Sequence, residues 1–327
     1  HMNIYDVAEK AGVSIATVSR VLNSSEHISE KTRRRVLEVM ESSGYTPNAF
    51  ARGLGLNSMR MIGVMCTDIT DAYYSKAVGQ IENLFRKKNY DTVLCCTGND
   101  FENKKKYLRY LINKKVDSVI LIGSAFNEKD NSYIKEAAKQ IPIIIINGYV
   151  NAPNVYCFVC DEKKAMEDNV KLLLRAGYDK ILYLYNTATY SGLQKLEGYK
   201  RGYTKENTDK RLIVKTDKDI SAVKSAVKGL YNSGTEFNAV LTSEDAIAAA
   251  AIKAAEELKI SVPIIGFNNS NLTEYTTPTI TSVDNMIDRL CDMAVNCLES
   301  LENNKSVPSK TVISGRIVER ESFKSPL

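Results

Sequence analysis

Between Ser14 and Asn23 the chain gathers side chains that can touch nucleic acid. Arg20 carries a planar, two-pronged donor that fits a guanine edge or a phosphate. Ser14, Thr17, Ser19 and Asn23 add small polar groups, and Ile15 and Ala16 add apolar surface. Val18, Val21 and Leu22 form a separate apolar stripe at helical spacing, so a helix opening at Ser14 buries these three and turns the others outward. Early small or polar positions with one arginine are what a helix entering the major groove displays. Other chemistry lacks its residues. The two histidines are His1, in a His1-Met2 cloning remnant, and His27, in the loop before residue 30. No GxSxG, phosphate-loop or HExxH pattern occurs, so no catalytic group, cofactor or metal is expected.

Local signals place this helix second of three. Asn3 can cap a first helix with Asp6 three residues on, and Ile4, Val7 and Ala8 share a face. Gly12 stops it, because a residue without Cβ accepts the left-handed conformation of a helix end. Ser14 caps the second helix after a turn pinned by Val13. Ser29 caps a third, roughly residues 30–43, with Ile28 as staple and Val36, Val39 and Met40 as the apolar face; Gly44 ends it. A generic helical hairpin would explain the polar face, but not the agreement of caps, turn length and outward pattern. Residues 3–47 therefore read as a small helix-turn-helix headpiece. Pro47 opens a linker, 48–60, in which Gly53 and Gly55 flank Leu54 and disfavour a free-standing helix by about 1 kcal/mol each.

The bulk properties are those of a globular chain of several domains: 327 residues, 44% hydrophobic, 25% charged, net charge +5. So mild a charge means that DNA recognition has to come from placement. Residues 1–60 hold eight Lys/Arg, four of them packed into 31–35. Seven cysteines without a signal peptide suggest free thiols in a reducing cytoplasm. Cys157 and Cys160 form a CxxC inside an apolar run, where strand geometry puts them on opposite faces, against a redox or zinc role. Cys95 and Cys96 end another strand and read as core. No apolar run approaches the ~20 residues of a membrane span.

From Met61 onward, short apolar runs alternate with helical patterns through 286–301. The runs start at about residues 61, 91, 118, 143, 156, 180, 211, 239, 264 and 280. This alternation implies parallel sheets covered on both faces. Some ten strands exceed one ordinary sheet, so two doubly wound lobes breaking near Asp161 are expected. Ligands then bind at the carboxyl ends of strands, in the cleft between lobes. Asn147 ends the fourth strand at such an edge. The 68–74 loop after the first strand carries Asp71, Tyr73 and Tyr74; aromatic faces there can stack on a ring, or else pack into the core or a dimer interface.

The segment AxxAGVSxATVSRVLN, followed by a third helix and by Tyr45-Thr46-Pro47-Asn48-Ala49-Phe50-Ala51-Arg52-Gly53-Leu54, resembles the LacI/GalR family of bacterial transcription regulators. A weaker likeness runs over nearly the whole chain. The resemblance implies a regulatory core similar to periplasmic sugar-binding proteins, at 61–327. One lobe would hold about 61–160 and 287–319, the other about 161–286 and 320–327, with 317–322 as closing strand. It implies a hinge helix at 48–60 that orders on the operator, Leu54 wedging into the minor groove. DNA contacts would fall on Ser14, Ile15, Ala16, Thr17, Ser19, Arg20, Asn23, Ser29 and Leu54.

For the cleft, the resemblance makes Tyr74 an effector contact and matches Asp161 to an effector-binding aspartate, with a surface helix cap as the bland alternative. Residues 191–199 resemble SxxRxxGF, with Lys195 where the family has arginine; lysine lacks the two-pronged grip. Asp245 fits an Asn-Asp pair in which Glu244 departs, and Asn268 replaces the first aspartate of GFDD. The expected effector set is therefore Asp71, Tyr73, Tyr74, Asn147, Asp161, Lys195, Glu244, Asp245 and Asn268, suited to a hydroxylated, carbohydrate-like molecule. The reading that results is a cytoplasmic homodimer that binds a pseudo-palindromic operator, most simply as a repressor, under control of a small molecule. The alternatives are a solute-binding protein, against which the headpiece argues, and a metabolite-processing enzyme with an appended headpiece.

Overall fold

The computed structural model describes residues 3–22, 27–43, 58–203 and 205–326. Asn23, Gly44, Leu54 and the 48–57 part of the hinge lie outside the described residues.

The headpiece is three helices: α1 (Ile4–Ala11), α2 (Ile15–Leu22) and α3 (Glu30–Ser42). Asn3 and Asp6 form a reciprocal capping box, the Asn3 side chain accepting from the Tyr5 and Asp6 amides and Asp6 accepting from the Asn3 amide at 2.8 Å. Gly12 closes α1 at φ 60°, a conformation that favours glycine. Val7, Ala8, Ala11, Val18, Val21, Val36 and Met40 make the core. That is a thin core, and it holds because each helix supplies its i, i+3/i+4 stripe to the same centre.

The remainder is two six-stranded sheets with helices on both faces. Sheet one takes β1 (Met61–Cys66), β2 (Asp91–Cys96), β3 (Ser118–Ile122), β4 (Ile143–Ile146), β5 (Val155–Cys160) and β11 (Lys310–Ile313), in the order β11-β5-β4-β3-β1-β2, all parallel. Its helices are α4 (Ala72–Arg86), α5 (Phe101–Asn113), α6 (Ser132–Ala138) and α11 (Ile287–Glu302). Sheet two takes β6 (Ile181–Tyr185), β7 (Leu212–Lys215), β8 (Ala239–Thr242), β9 (Ile264–Phe267), β10 (Thr281–Asp284) and β12 (Arg316–Val318), in the order β12-β10-β9-β8-β6-β7. Here α7 (Glu162–Arg175), α8 (Tyr190–Gly202), α9 (Ile220–Asn232) and α10 (Asp245–Leu258) give the cover. The fully buried Ile143–Ile146 and Ser118–Ile122 show why apolar runs, rather than alternation, mark these strands.

Three details differ from the sequence reading. The last crossing between lobes falls at 314–315, not at 319, because Arg316–Val318 pairs antiparallel with β10 in sheet two. Gly315 makes that crossing; a Cβ there would sit 3.2 Å from the Asp284 carbonyl oxygen and 3.2 Å from Cys160 Sγ. Strand β11 escaped notice because it is an edge strand, largely exposed, with no apolar run to announce it. Cys96 is exposed rather than core, since β2 is the opposite edge of sheet one. Cys157 and Cys160, by contrast, pack in separate clusters on opposite faces of β5.

Candidate functional site

The first candidate surface is α2. Ser14 Oγ accepts from the Thr17 amide at 3.1 Å and pairs with Thr17 Oγ1 at 2.9 Å, so its side chain is spent on starting the helix. Ser29 Oγ does the same for α3 through the Thr32 amide at 3.3 Å. With Val18 and Val21 turned inward, Ile15, Ala16 and Arg20 are exposed and Thr17 and Ser19 half-buried. Arg35 Nη2 donates to the Gly12 carbonyl at 3.4 Å and braces the turn that sets the angle of α2. The result is a short rigid helix with one apolar-and-arginine face open to solvent.

The second candidate is the cleft between the sheets, built from loops at the carboxyl ends of β1, β3, β4, β6, β8 and β9. A chamber of ≈ 100 Å³ opens into a mouth of ≈ 760 Å³. Asp71, Tyr73, Tyr74, Asn147, Lys195, Glu244 and Asn268 all line the chamber. Asn147 reaches the cleft edge at φ 57° and Asn268 at φ 101°, strand-end conformations that asparagine tolerates better than most residues. Tyr74 lies where a Cβ on Gly123 (φ 99°) would come within 2.7 Å of its ring, so glycine makes room for the aromatic. Tyr73 packs edge-on against Tyr74, ring centroids 5.4 Å apart, with its buried hydroxyl unpartnered.

At the chamber floor sits a buried ion pair. Lys195 Nζ lies 3.5 Å from Glu162 Oε1, donates to the Ser243 carbonyl at 3.0 Å, and stands 4.2 Å over the Phe267 ring. Asn147 Nδ2 donates to Glu162 Oε1 at 3.0 Å and Ser191 Oγ to Oε2 at 2.5 Å. Glu162 is 3% and Lys195 6% exposed, so each needs the other. Asn147 belongs to the first lobe and Glu162 to the second, so the network ties floor to both. Two further contacts cross the cleft: Asp71 to Lys218 at 2.9 Å, and Ser124 Oγ to Thr189 Oγ1 at 3.0 Å.

Two of the nine expected effector residues stand elsewhere. Asp161 does not line the cleft; it caps α7, its side chain accepting from the Lys164 amide at 3.0 Å, and the next residue, Glu162, takes the cleft position. Asp245 is 2% exposed and lies behind the wall, accepting from Ser282 Oγ at 2.5 Å and from the Ser270 amide at 2.7 Å. It positions Glu244 by fixing the start of α10 to the neighbouring loop. Residues that the sequence reading passed over are Glu162, Ser124 and the run Asn186-Thr187-Ala188-Thr189, of which all but Ala188 line the cleft. Their signal was positional: they follow directly on strand ends, or on the capping residue of α7.

Burial pushes the Asp245 carboxyl up to about 6 from 3.8. Folded chain thus holds this proton to higher pH than unfolded chain. Its contribution is fully present below about pH 4 and is lost as pH rises through 6. Urea unfolding from pH 4 to 7 should show Asp245→Asn with a shallower decline than wild type. The decline should not vanish, because burial raises Glu244 as well. Equal slopes would contradict the assignment.

Headpiece, two doubly wound lobes and an interlobe cleft together define a DNA-binding protein with a ligand-responsive core, and the comparisons agree. Residues 3–48 match the model of bacterial regulatory proteins of the lacI family, and 59–272 match that of periplasmic binding proteins and the sugar-binding domain of the LacI family. A curated HTH-type transcriptional regulator of Lachnoclostridium phytofermentans is 45% identical over 98% of this chain and 99% of its own length. The HTH-type transcriptional regulator DegA of Bacillus subtilis is 31% identical over 99% and 98%. The catabolite control protein A of Priestia megaterium is 29% identical over 99% and 100%. In fold, the chain superposes on the lac repressor dimer bound to operator and anti-inducer with TM-score 0.86 at 22% identity, covering 98% of each chain. The chain belongs to the LacI family: it is a DNA-binding transcriptional regulator with a small-molecule-binding core. Among the described residues, no helix is long and apolar enough to cross a membrane.

Proposed function

We propose that the chain is a homodimeric repressor that reads a pseudo-palindromic operator through Ile15, Ala16, Thr17, Ser19 and Arg20. A hydroxylated small molecule held by Asp71, Tyr73, Tyr74, Asn147, Glu162, Lys195, Glu244 and Asn268 controls it. The observation that carries the reading is the joining of an exposed recognition face to a cleft whose floor and mouth are both bridged between lobes. A ligand there changes how tightly the lobes close, and closure shifts the population of dimers whose headpieces stand at operator spacing. A dimer puts two copies of α2 about one helical turn, ~34 Å, apart on the duplex. The lac repressor and a cellobiose-bound regulator show that the fold accommodates both partners: one is a dimer on operator, the other holds a sugar. Ser191 Oγ does donate to Glu162 Oε2 in the chamber, but that carboxylate is already committed to Lys195 and Asn147, so binding without turnover is the chemistry the site supports.

Selection from a randomised duplex pool with the full chain tests this. Enrichment of a two-fold related sequence, bound with two subunits per duplex, is the expected result. Enrichment without symmetry, or none, contradicts it.

A further inference from the structure

We propose that the cleft selects its ligand by charge, admitting a hydroxylated molecule that is neutral or carries an amine, rejecting phosphorylated and carboxylated ones, with Glu244 as the residue that sets the rule. This rests on the cleft being the effector site. The protein as a whole carries a net charge of +5, yet the residues lining chamber and mouth include Asp68, Asp71, Glu162, Asp217, Asp219 and Glu244 against Lys195 and Lys218. Both lysines are already matched. Lys195 is held by Glu162, by the Ser243 carbonyl and over the Phe267 ring; Lys218 is held by Asp71. An arriving anion would meet no uncommitted cation among the lining residues described.

Backbone offers no substitute. Helix N-termini are the usual anion sites of such folds, and here the chain fills them with its own carboxylates. Asp71 accepts from the Tyr73 amide at the start of α4, Asp161 from the Lys164 amide at α7, and Asp219 from the Ala222 amide at α9. At α10 Glu244 and Asp245 put two carboxylates on the end of the helix without bonding its amides, which still makes that end repel an anion. Among the described residues, α8 opens toward the chamber on an uncharged cap, Thr189.

Of the three carboxylates that line the inner chamber, Asp71 is held by Lys218 and Glu162 by Lys195, which leaves Glu244. Its Oε1 accepts from Asn186 Nδ2 at 3.0 Å, and no salt bridge is formed to it among the described residues. Burial raises its carboxyl above the usual range, which shows the charge poorly solvated where it stands. A ligand hydroxyl or ammonium donating to Glu244 relieves that cost; a phosphate or carboxylate deepens it. The aromatic faces of Tyr73 and Tyr74 suit the apolar face of a ring, and a cation equally.

Calorimetry on the full chain decides this with glucose and galactose as probes, each beside its 2-amino, 6-phosphate and uronate form, and with the disaccharides built from each. The best binder should be a neutral or amino form, at least tenfold tighter than its own phosphate and uronate. In Glu244→Gln, which keeps the Asn186 bond, the preference for amine over parent and for parent over anion should each shrink at least threefold. A phosphate or uronate that binds as tightly as its parent overturns the charge rule and leaves the cleft reading standing. A best binder whose affinity is unchanged by Asn268→Ala and Asn147→Ala overturns the cleft reading instead. If no probe binds, the hydroxylated ligand class is wrong and both fall.

Discussion

Lys195→Met should be among the most damaging single changes in the core, lowering stability by about 3–5 kcal/mol. The reason is the partner left behind. Glu162 is 3% exposed, and its remaining donors, Asn147 Nδ2 and Ser191 Oγ, carry no charge to balance it. An unpaired buried carboxylate costs more than the ion pair ever contributed, because Coulomb attraction in the pair had offset two desolvation penalties. For a chain of this size the loss corresponds to roughly 4–7 °C in Tm. The double variant Glu162→Gln/Lys195→Met should recover most of it, since it removes both charges from the same site. Thermal and urea unfolding of wild type, single and double variants make the test. A Lys195→Met chain as stable as wild type would mean that Glu162 is not buried as a carboxylate at the cleft floor.

Arg20→Ala should cost about 1–3 kcal/mol of specific DNA binding, roughly 5- to 150-fold. Arg20 sits in the last turn of α2 on its exposed face, while Val18 and Val21 anchor the helix below. Truncating it leaves the headpiece core untouched, so folding should not change. Binding to random duplex should fall far less, because one lost phosphate contact among several weakens all sequences alike. Fluorescence anisotropy at one fixed salt concentration on selected and random duplexes separates the two cases. Equal losses on both would make Arg20 a phosphate contact only.

What was legible in the sequence follows from which forces act locally. The headpiece could be read nearly residue by residue, since Asn3, Asp6, Gly12, Ser14 and Ser29 act on their immediate neighbours through caps and turns. The parallel strands were legible because burial on both faces writes an unbroken apolar run. Strand β11 was not, because its half-exposed residues write no such run, and β12 was marked only by the likeness of 317–322 to the family's closing strand. In the cleft, strand ends pointed to the right loops but not to the right atoms. Whether Asp161 or Glu162 enters the chamber depends on where α7 begins its first turn, and one residue reverses which side chain caps and which lines the chamber. Glu244 and Asp245 pose the same question at α10, where the second carboxylate turned inward to Ser282 and Ser270. The Lys195–Glu162 pair joins positions 33 residues apart on two helices, and no local pattern announces it.

Coupling between cleft and DNA is read from the affinity of the full chain for its selected duplex, at fixed salt, with and without a saturating cleft ligand, in wild type and in Asn268→Ala. Coupling free energies of this kind run about 1–3 kcal/mol, so wild-type affinity should change by roughly 5- to 150-fold. Asn268→Ala should bind the duplex as wild type does without ligand and respond only at much higher ligand concentration. Wild-type affinity that stays the same with the cleft saturated would mean that cleft and headpiece are not coupled.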